Sequence, residues 1–181
     1  MENLLSKEQQ KYLLGLARKA IKQHLESGKK LKIKIEDKQL KEKRGAFVTL
    51  KANDQLRGCI GHLLPYKPLF ETIIDVAVSA ATQDFRFQPL TLKELSETKI
   101  EISVLSLPKP VQNIKEIEVG KHGIIIAKGL NKGLLLPQVP VEWNWDLETY
   151  LGHGCLKAGL QEDEWKKGAR IEIFSAQVFT E

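Results

Sequence analysis

The densest concentration of chemistry-bearing residues is Leu56-Arg57-Gly58-Cys59-Ile60-Gly61. A thiol with a guanidinium two residues away is a candidate nucleophile, because fixed positive charge favours the reactive thiolate. Glycines weaken an ordinary strand. Gly58 and Gly61 around Cys59 therefore predict a bulge, or a close approach by another backbone or a ligand. Free cysteine is also among the most buried residue types, so simple core packing is the competing expectation for Cys59. His153-Gly154-Cys155-Leu156-Lys157 supplies an imidazole that could act as base to a Cys59 nucleophile. With His62 these residues also form a two-Cys, two-His set of the ligand types that zinc prefers. The spacing is poor, since Cys59 and His62 on a regular strand would face opposite ways, and one residue separates His153 from Cys155. No bound metal is expected, and no cofactor. In Thr82-Gln83-Asp84-Phe85-Arg86-Phe87-Gln88-Pro89-Leu90, Asp84 can brace a loop that presents Arg86 between two aromatics. The plainer expectation is an Asp84–Arg86 clasp with Phe85 and Phe87 packed beneath it. Trp143 and Trp145 raise a similar choice between a binding surface and a core cover. The chain carries no phosphate loop, dinucleotide fingerprint, nucleophile elbow or HExxH.

The elements that must position these residues are legible in outline. Ser6 with Gln9 forms a capping-box pattern. Leu13, Leu16, Ala17, Ala20, Ile21 and His24 then recur at helical spacing up to Gly28. His24 on that face reads as a residue at the edge of the core. Residues 45–51 and 55–61 read as an antiparallel hairpin turned at Asn53-Asp54. A second helix follows Pro65 or Pro68, apolar around much of its circumference, and ends near Thr82. Residues 99–104 alternate as a half-buried strand closed by Pro108 and Pro110, and 122–127 with 133–136 form a further strand pair. A third helix starts at Asn144 or Asp146 and carries Leu147, Tyr150, Leu151, Cys155 and Ala158 on one side. A long strand covers 170–179. Helices set between hairpins, without regular βαβ alternation, predict an α+β fold with antiparallel sheet.

The 181 residues suit one sizeable domain or two small lobes, and 42% apolar with 28% charged residues excludes wholesale disorder. No apolar run approaches the roughly 18 residues that cross a bilayer. Met1-Glu2-Asn3 leads straight into a charged, periodic segment without a secretory-type leader. With only Cys59 and Cys155 available for a disulfide, a reduced, cytoplasmic protein is expected. The net charge of +5 is uneven: residues 1–52 carry +8 and the remainder −3. The excess sits at Lys29–Lys34 and Lys38–Arg44, which could contact phosphate backbones. No aromatic residue interleaves it, so the stacking platform of a single-strand binder is missing. A solvated, lysine-rich connector is the preferred reading, and nucleic-acid binding ranks last.

Taken in order, five segments resemble the AMMECR family. They are Leu56–Gly61, Asp84–Leu90, Glu101-Ile102-Ser103-Val104-Leu105-Ser106, Gly133-Leu134-Leu135-Leu136-Pro137-Gln138-Val139 and Cys155-Leu156-Lys157-Ala158-Gly159-Leu160. The six-residue Leu56–Gly61 string in this company is highly specific, and the resemblance runs over nearly the whole chain. Two positions depart from it: residue 85, often Pro in the family, is Phe here, and His62 is not a fixed family position. The resemblance implies a single domain over 1–181 with two lobes of unequal size and a groove between them. It also implies an accessory or catalytic component that works with MEMO-like and radical SAM partner proteins. In the catalytic version Cys59 is the nucleophile, His153 its base, and Arg57 and Arg86 bind an anion. In the accessory version the same surface, with Gly58, Gly61 and Asp84, is a docking site.

Overall fold

The computed structural model describes residues 4–181. Met1-Glu2-Asn3, where the absence of a leader is read, lies outside the described residues. The chain divides into two compact units. One comprises the chain up to Leu105 together with Gln177–Glu181, and the other is Ser106–Ala176.

In the first unit, α1 (Lys7–Ser27) begins with the expected capping box of Ser6 and Gln9 and ends at Gly28 in the left-handed region. β1 (Ala46–Ala52) and β2 (Gln55–His62) form the hairpin, and Asn53 and Asp54 both take positive φ at its turn. Two consecutive left-handed residues are what a tight hairpin matched to strand twist requires. α2 (Leu69–Thr82) starts after Pro68. α3 (Leu92–Glu97), capped by Thr91 and Glu94, is a short helix beyond those the periodicity predicts, and it runs into β3 (Thr98–Leu105). The strand order here is β2-β1-β3, followed by the end of the last strand, β7 (Arg170–Thr180). Val48, Leu50, Ile100 and Ile102 face a core shared with α1 and α2, whereas Thr49 and Lys51 turn to the other side of the sheet.

The lysine-rich connector proves to be more than solvated chain. Leu31, Ile33 and Ile35 pack on the core while Lys30, Lys32 and Lys34 alternate outward. That is the two-residue period of extended backbone over an apolar surface. Lys30 and Lys67 both pair with Asp75 of α2, at 2.5 and 2.7 Å. Burial pushes the Asp75 carboxyl up, but these two ammonium groups outweigh it and hold it below its ordinary value.

In the second unit, Lys109-Pro110 does not merely close the preceding strand. It forms a short strand, β4, against β7. A proline is tolerated there because the strand is two residues long and needs few ladder bonds. β5 (His122–Lys128) and β6 (Asn131–Leu135) pair across a turn at Gly129-Leu130, and β5 also pairs with β7. A short α4 (Val139–Glu142) precedes α5 (Leu147–Lys157), whose N-cap is Asp146. Gly133 lets α5 sit close on β6, since a Cβ there would lie 2.3 Å from the Ala158 nitrogen. The wholly buried Tyr150 donates its hydroxyl proton among the carbonyls of His122, Leu135 and Leu136, at 3.2–3.3 Å. The β1–β2, β1–β3, β4–β7, β5–β6 and β5–β7 pairings are all antiparallel, so the α+β class with antiparallel sheet holds. No helix among the described residues is long and apolar enough to cross a membrane.

Candidate functional site

β2 is the edge strand of the first unit, and its irregularities place the candidate residues. The register with β1 steps from Leu50↔Gly58 to Lys51↔Leu56, so Arg57 is the extra residue of a β-bulge. A bulge re-aims one side chain without disturbing the rest of the strand. Arg57 is turned to Glu94 of α3, with Nε and Nη2 donating to Oε1 at 3.2 and 3.1 Å. Glu94 was not singled out from the sequence. The Thr91-x-x-Glu94 capping pattern was the available signal, and Thr91 indeed donates its N–H and hydroxyl to the other carboxylate oxygen. Those bonds, and then Arg57, hold the Glu94 carboxyl below its ordinary range.

Gly58 and Gly61 serve close approach. A Cβ at Gly58 would stand 2.2 Å from the Ala80 carbonyl oxygen of α2, and one at Gly61 would meet the Phe47 ring at the same distance. Between them Cys59 is half-buried, opposite Thr49 on the face turned away from the helices. Its sulfur lies 3.2 Å from the Thr49 hydroxyl oxygen. The cross-strand row continues to Glu101, which pairs with Lys51 at 2.8 Å.

Asp84 organises the loop after α2. Its side chain is 2% exposed, yet it is fully engaged. Oδ2 accepts the Cys59 backbone N–H at 2.8 Å and Arg86 Nη2 at 2.7 Å. Oδ1 accepts the Arg86 N–H at 3.2 Å and Nε at 2.9 Å. The Arg86 guanidinium, the cost of burial notwithstanding, holds this carboxyl far below the usual carboxylate range, with the Cys59 and Arg86 backbone N–H groups adding to it. One side chain thus satisfies an edge-strand N–H and fixes Arg86, whose own Nη2 leans toward the Cys59 carbonyl at 3.5 Å. The grip uses Nε and Nη2, Nη1 has no hydrogen-bond partner among the described residues, and the Arg86 side chain is 45% exposed. Phe87 lies under both guanidinium groups, 5.9 Å from Arg57 and 5.5 Å from Arg86.

The clasp matches expectation, but Phe85 does not pack beneath it. Phe87 N–H donates to the Asp84 carbonyl at 3.0 Å, closing a turn with residues 85 and 86 at its tip. At that tip Phe85 is 96% exposed. The tryptophans also divide: Trp145 packs partly against the core of the second unit, while Trp143 is exposed.

The remaining candidates lie in the second unit. His153 is half-buried on α5, with its ring stacked on Trp145 at 3.9 Å and 3°. Cys155 is fully buried, and burial pushes its thiol pKa up. The structure therefore gathers Arg57, Cys59, Asp84 and Arg86, with Thr49, Phe87 and Glu94, in the first unit. His153 and Cys155 lie on α5 of the second unit. Among the described residues no group of three or more His, Cys, Asp or Glu side chains could hold a metal ion.

A 50% identical relative, protein MK0488 of Methanopyrus kandleri, aligns over the whole of this chain and 92% of its own length. Protein MJ0810 of Methanocaldococcus jannaschii is 44% identical, covering 98% of this chain and 92% of its own. The crystal structure of protein PH0010 from Pyrococcus horikoshii superposes with a TM-score of 0.89 at 40% identity, over 98% of this chain and 93% of that one. The AMMECR1 family model matches residues 14–179, which span every element of the site from α2 and β2 to the Asp84 loop, and the chain belongs to that family.

Proposed function

We propose that this protein is an accessory component that works with MEMO-like and radical SAM partner proteins, and that the Arg57–Gly61 surface with Asp84 and Arg86 is where a partner docks. The observation that carries this reading is the buried Asp84 carboxylate. It ties the Cys59 backbone to Arg86 and so holds a half-exposed guanidinium rigidly at a sheet edge. A fixed arginine beside an aromatic ring is the kind of anchor that dominates protein interfaces. Thr49, rather than an imidazole, is the side chain bonded to the Cys59 thiol, which favours docking over thiol catalysis. The direct test is binding of the purified chain to a MEMO-like protein and a radical SAM protein from the same source, followed by calorimetry. Arg86→Ala should weaken binding about tenfold or more, as truncation of an interface arginine does. Unchanged affinity would remove this surface from the interface, and no binding to either protein would remove the partners.

The half-burial of Cys59 keeps a second reading in view, a thiol-dependent enzyme. Iodoacetamide labelling of the folded protein near neutral pH separates the two. Labelling no faster than that of an ordinary cysteine is expected. Rapid, selective modification of Cys59 would favour the enzyme.

A further inference from the structure

Among the described residues, the end of β7 is paired along one edge. Glu181 N–H donates to the Ile100 carbonyl, Ser106 N–H to the Ser175 carbonyl and Val111 N–H to the Ile171 carbonyl. Odd-numbered residues of β7 therefore turn their backbone groups to that edge. By the two-residue period, even-numbered residues turn theirs to the other. On that other edge the register with β5 runs from Arg170 to Ser175 and stops. Val178 and Thr180 lie beyond it, so among the described residues their N–H and C=O groups form a short open ladder. Val178 is 52% exposed.

This ladder borders a groove of about 700 Å³ in the first unit, walled on its far side by Lys7, Lys11, Leu14 and Gly15 of α1. Gly15 sits within a 21-residue helix, where glycine is disfavoured. Apart from its chain neighbours and its own helix backbone, no described residue lies within 4 Å of the place its Cβ would take, and its φ is not left-handed. Neither a turn nor internal packing accounts for it. Lys7 and Lys11, one turn apart on the same stripe, form no ion pair among the described residues. Arg18, further along, is committed to Glu181 and to the carbonyls of Leu95 and Thr98.

We propose that this groove binds an extended, acidic peptide segment of a partner protein. The segment adds as a strand to the Val178–Thr180 edge, passes over Gly15 and sets its carboxylates against Lys7 and Lys11. Main-chain hydrogen bonds supply affinity in such strand addition, and side-chain pockets and charge supply selectivity. The proposal does not depend on the Arg57–Gly61 surface.

A random-peptide phage-display library panned against the full chain is the probe. Acidic, β-branched peptides should be enriched, and labelled synthetic copies should bind in fluorescence anisotropy. The Lys7→Glu/Lys11→Glu pair and Gly15→Leu should each weaken that binding about tenfold or more. Lys132→Glu, on β6, should leave it unchanged, and N-methylation of alternate peptide residues should abolish it. Gly15→Leu enters open space, so a melting temperature at or above that of the wild type distinguishes a blocked groove from a misfolded chain. No enrichment, enrichment of basic peptides, or binding indifferent to both groove variants would overturn the proposal. So would self-association through this edge, seen by sedimentation and lost in Gly15→Leu, because the occupant would then be a second copy of the chain.

Discussion

Asp84→Asn is the sharpest perturbation of the candidate site, because it preserves shape and inverts polarity. Asparagine can place its carbonyl oxygen at the Oδ1 position and still accept from the Arg86 N–H and Nε. Its amide nitrogen then occupies the Oδ2 position, where it faces two donors, the Cys59 N–H and Arg86 Nη2. The reverse flip moves the same conflict to the other oxygen. Hydrogen bonds to a charged group contribute about 1.5–3 kcal/mol, and a buried donor left unsatisfied costs about 1–3 kcal/mol. Arg86 is about half exposed, so its Coulombic share is screened, and most of the loss comes from the Cys59 N–H. A destabilisation of about 2–4 kcal/mol at pH 7 follows. Its pH dependence has a definite sign. The Asp84 carboxyl is depressed in the folded state, so its contribution is present in full above the unfolded value of about 3.9 and is lost as pH falls toward the folded value. The gap between wild type and variant should therefore stay constant from pH 8 to pH 5. It should then narrow by about 1.4 kcal/mol per unit below about pH 4. Urea denaturation followed by circular dichroism at pH 7, 5, 3 and 2 measures it. A variant as stable as wild type at pH 7, or a gap that persists unchanged at pH 2, would refute the reasoning.

Three further outcomes follow from the same geometry. Gly58→Ala drives a Cβ against the Ala80 carbonyl and should cost about 1–3 kcal/mol or more in denaturant titration, because backbone on both sides must yield. Cys59→Ser keeps a donor and acceptor beside the Thr49 hydroxyl at a half-buried position, so its cost should stay below about 1 kcal/mol in the same titration. Gly15→Ala should raise stability by about 0.5–1 kcal/mol, seen as a higher melting temperature, since the new methyl group meets nothing and the helix gains propensity.

Legibility followed the range of the interactions involved. The caps at Ser6 and Gly28, the Asn53-Asp54 turn and the helical stripe of α1 are local, each decided within four residues, and each was readable. The glycines of β2 announced a close approach, but not that Gly58 admits the Ala80 carbonyl, since that neighbour lies 22 positions further along the chain. Arg57 illustrates the limit more sharply. Its proximity to Cys59 in sequence predicts a charge near a thiol, but gives no sign that a one-residue slip of register pairs its guanidinium with Glu94. A bulge is a property of two strands and is invisible in either alone. His153 shows the same limit in another form, since neither the Trp145 ring stacked on its imidazole nor the Thr49 hydroxyl beside the Cys59 sulfur can be read from local spacing. Asp84 succeeded because the partner that matters most, Arg86, is two residues away. Its second partner, the Cys59 N–H, turns a local clasp into the link between loop and edge strand. The docking proposal rests on that link, since without it Arg86 would be one more mobile surface charge.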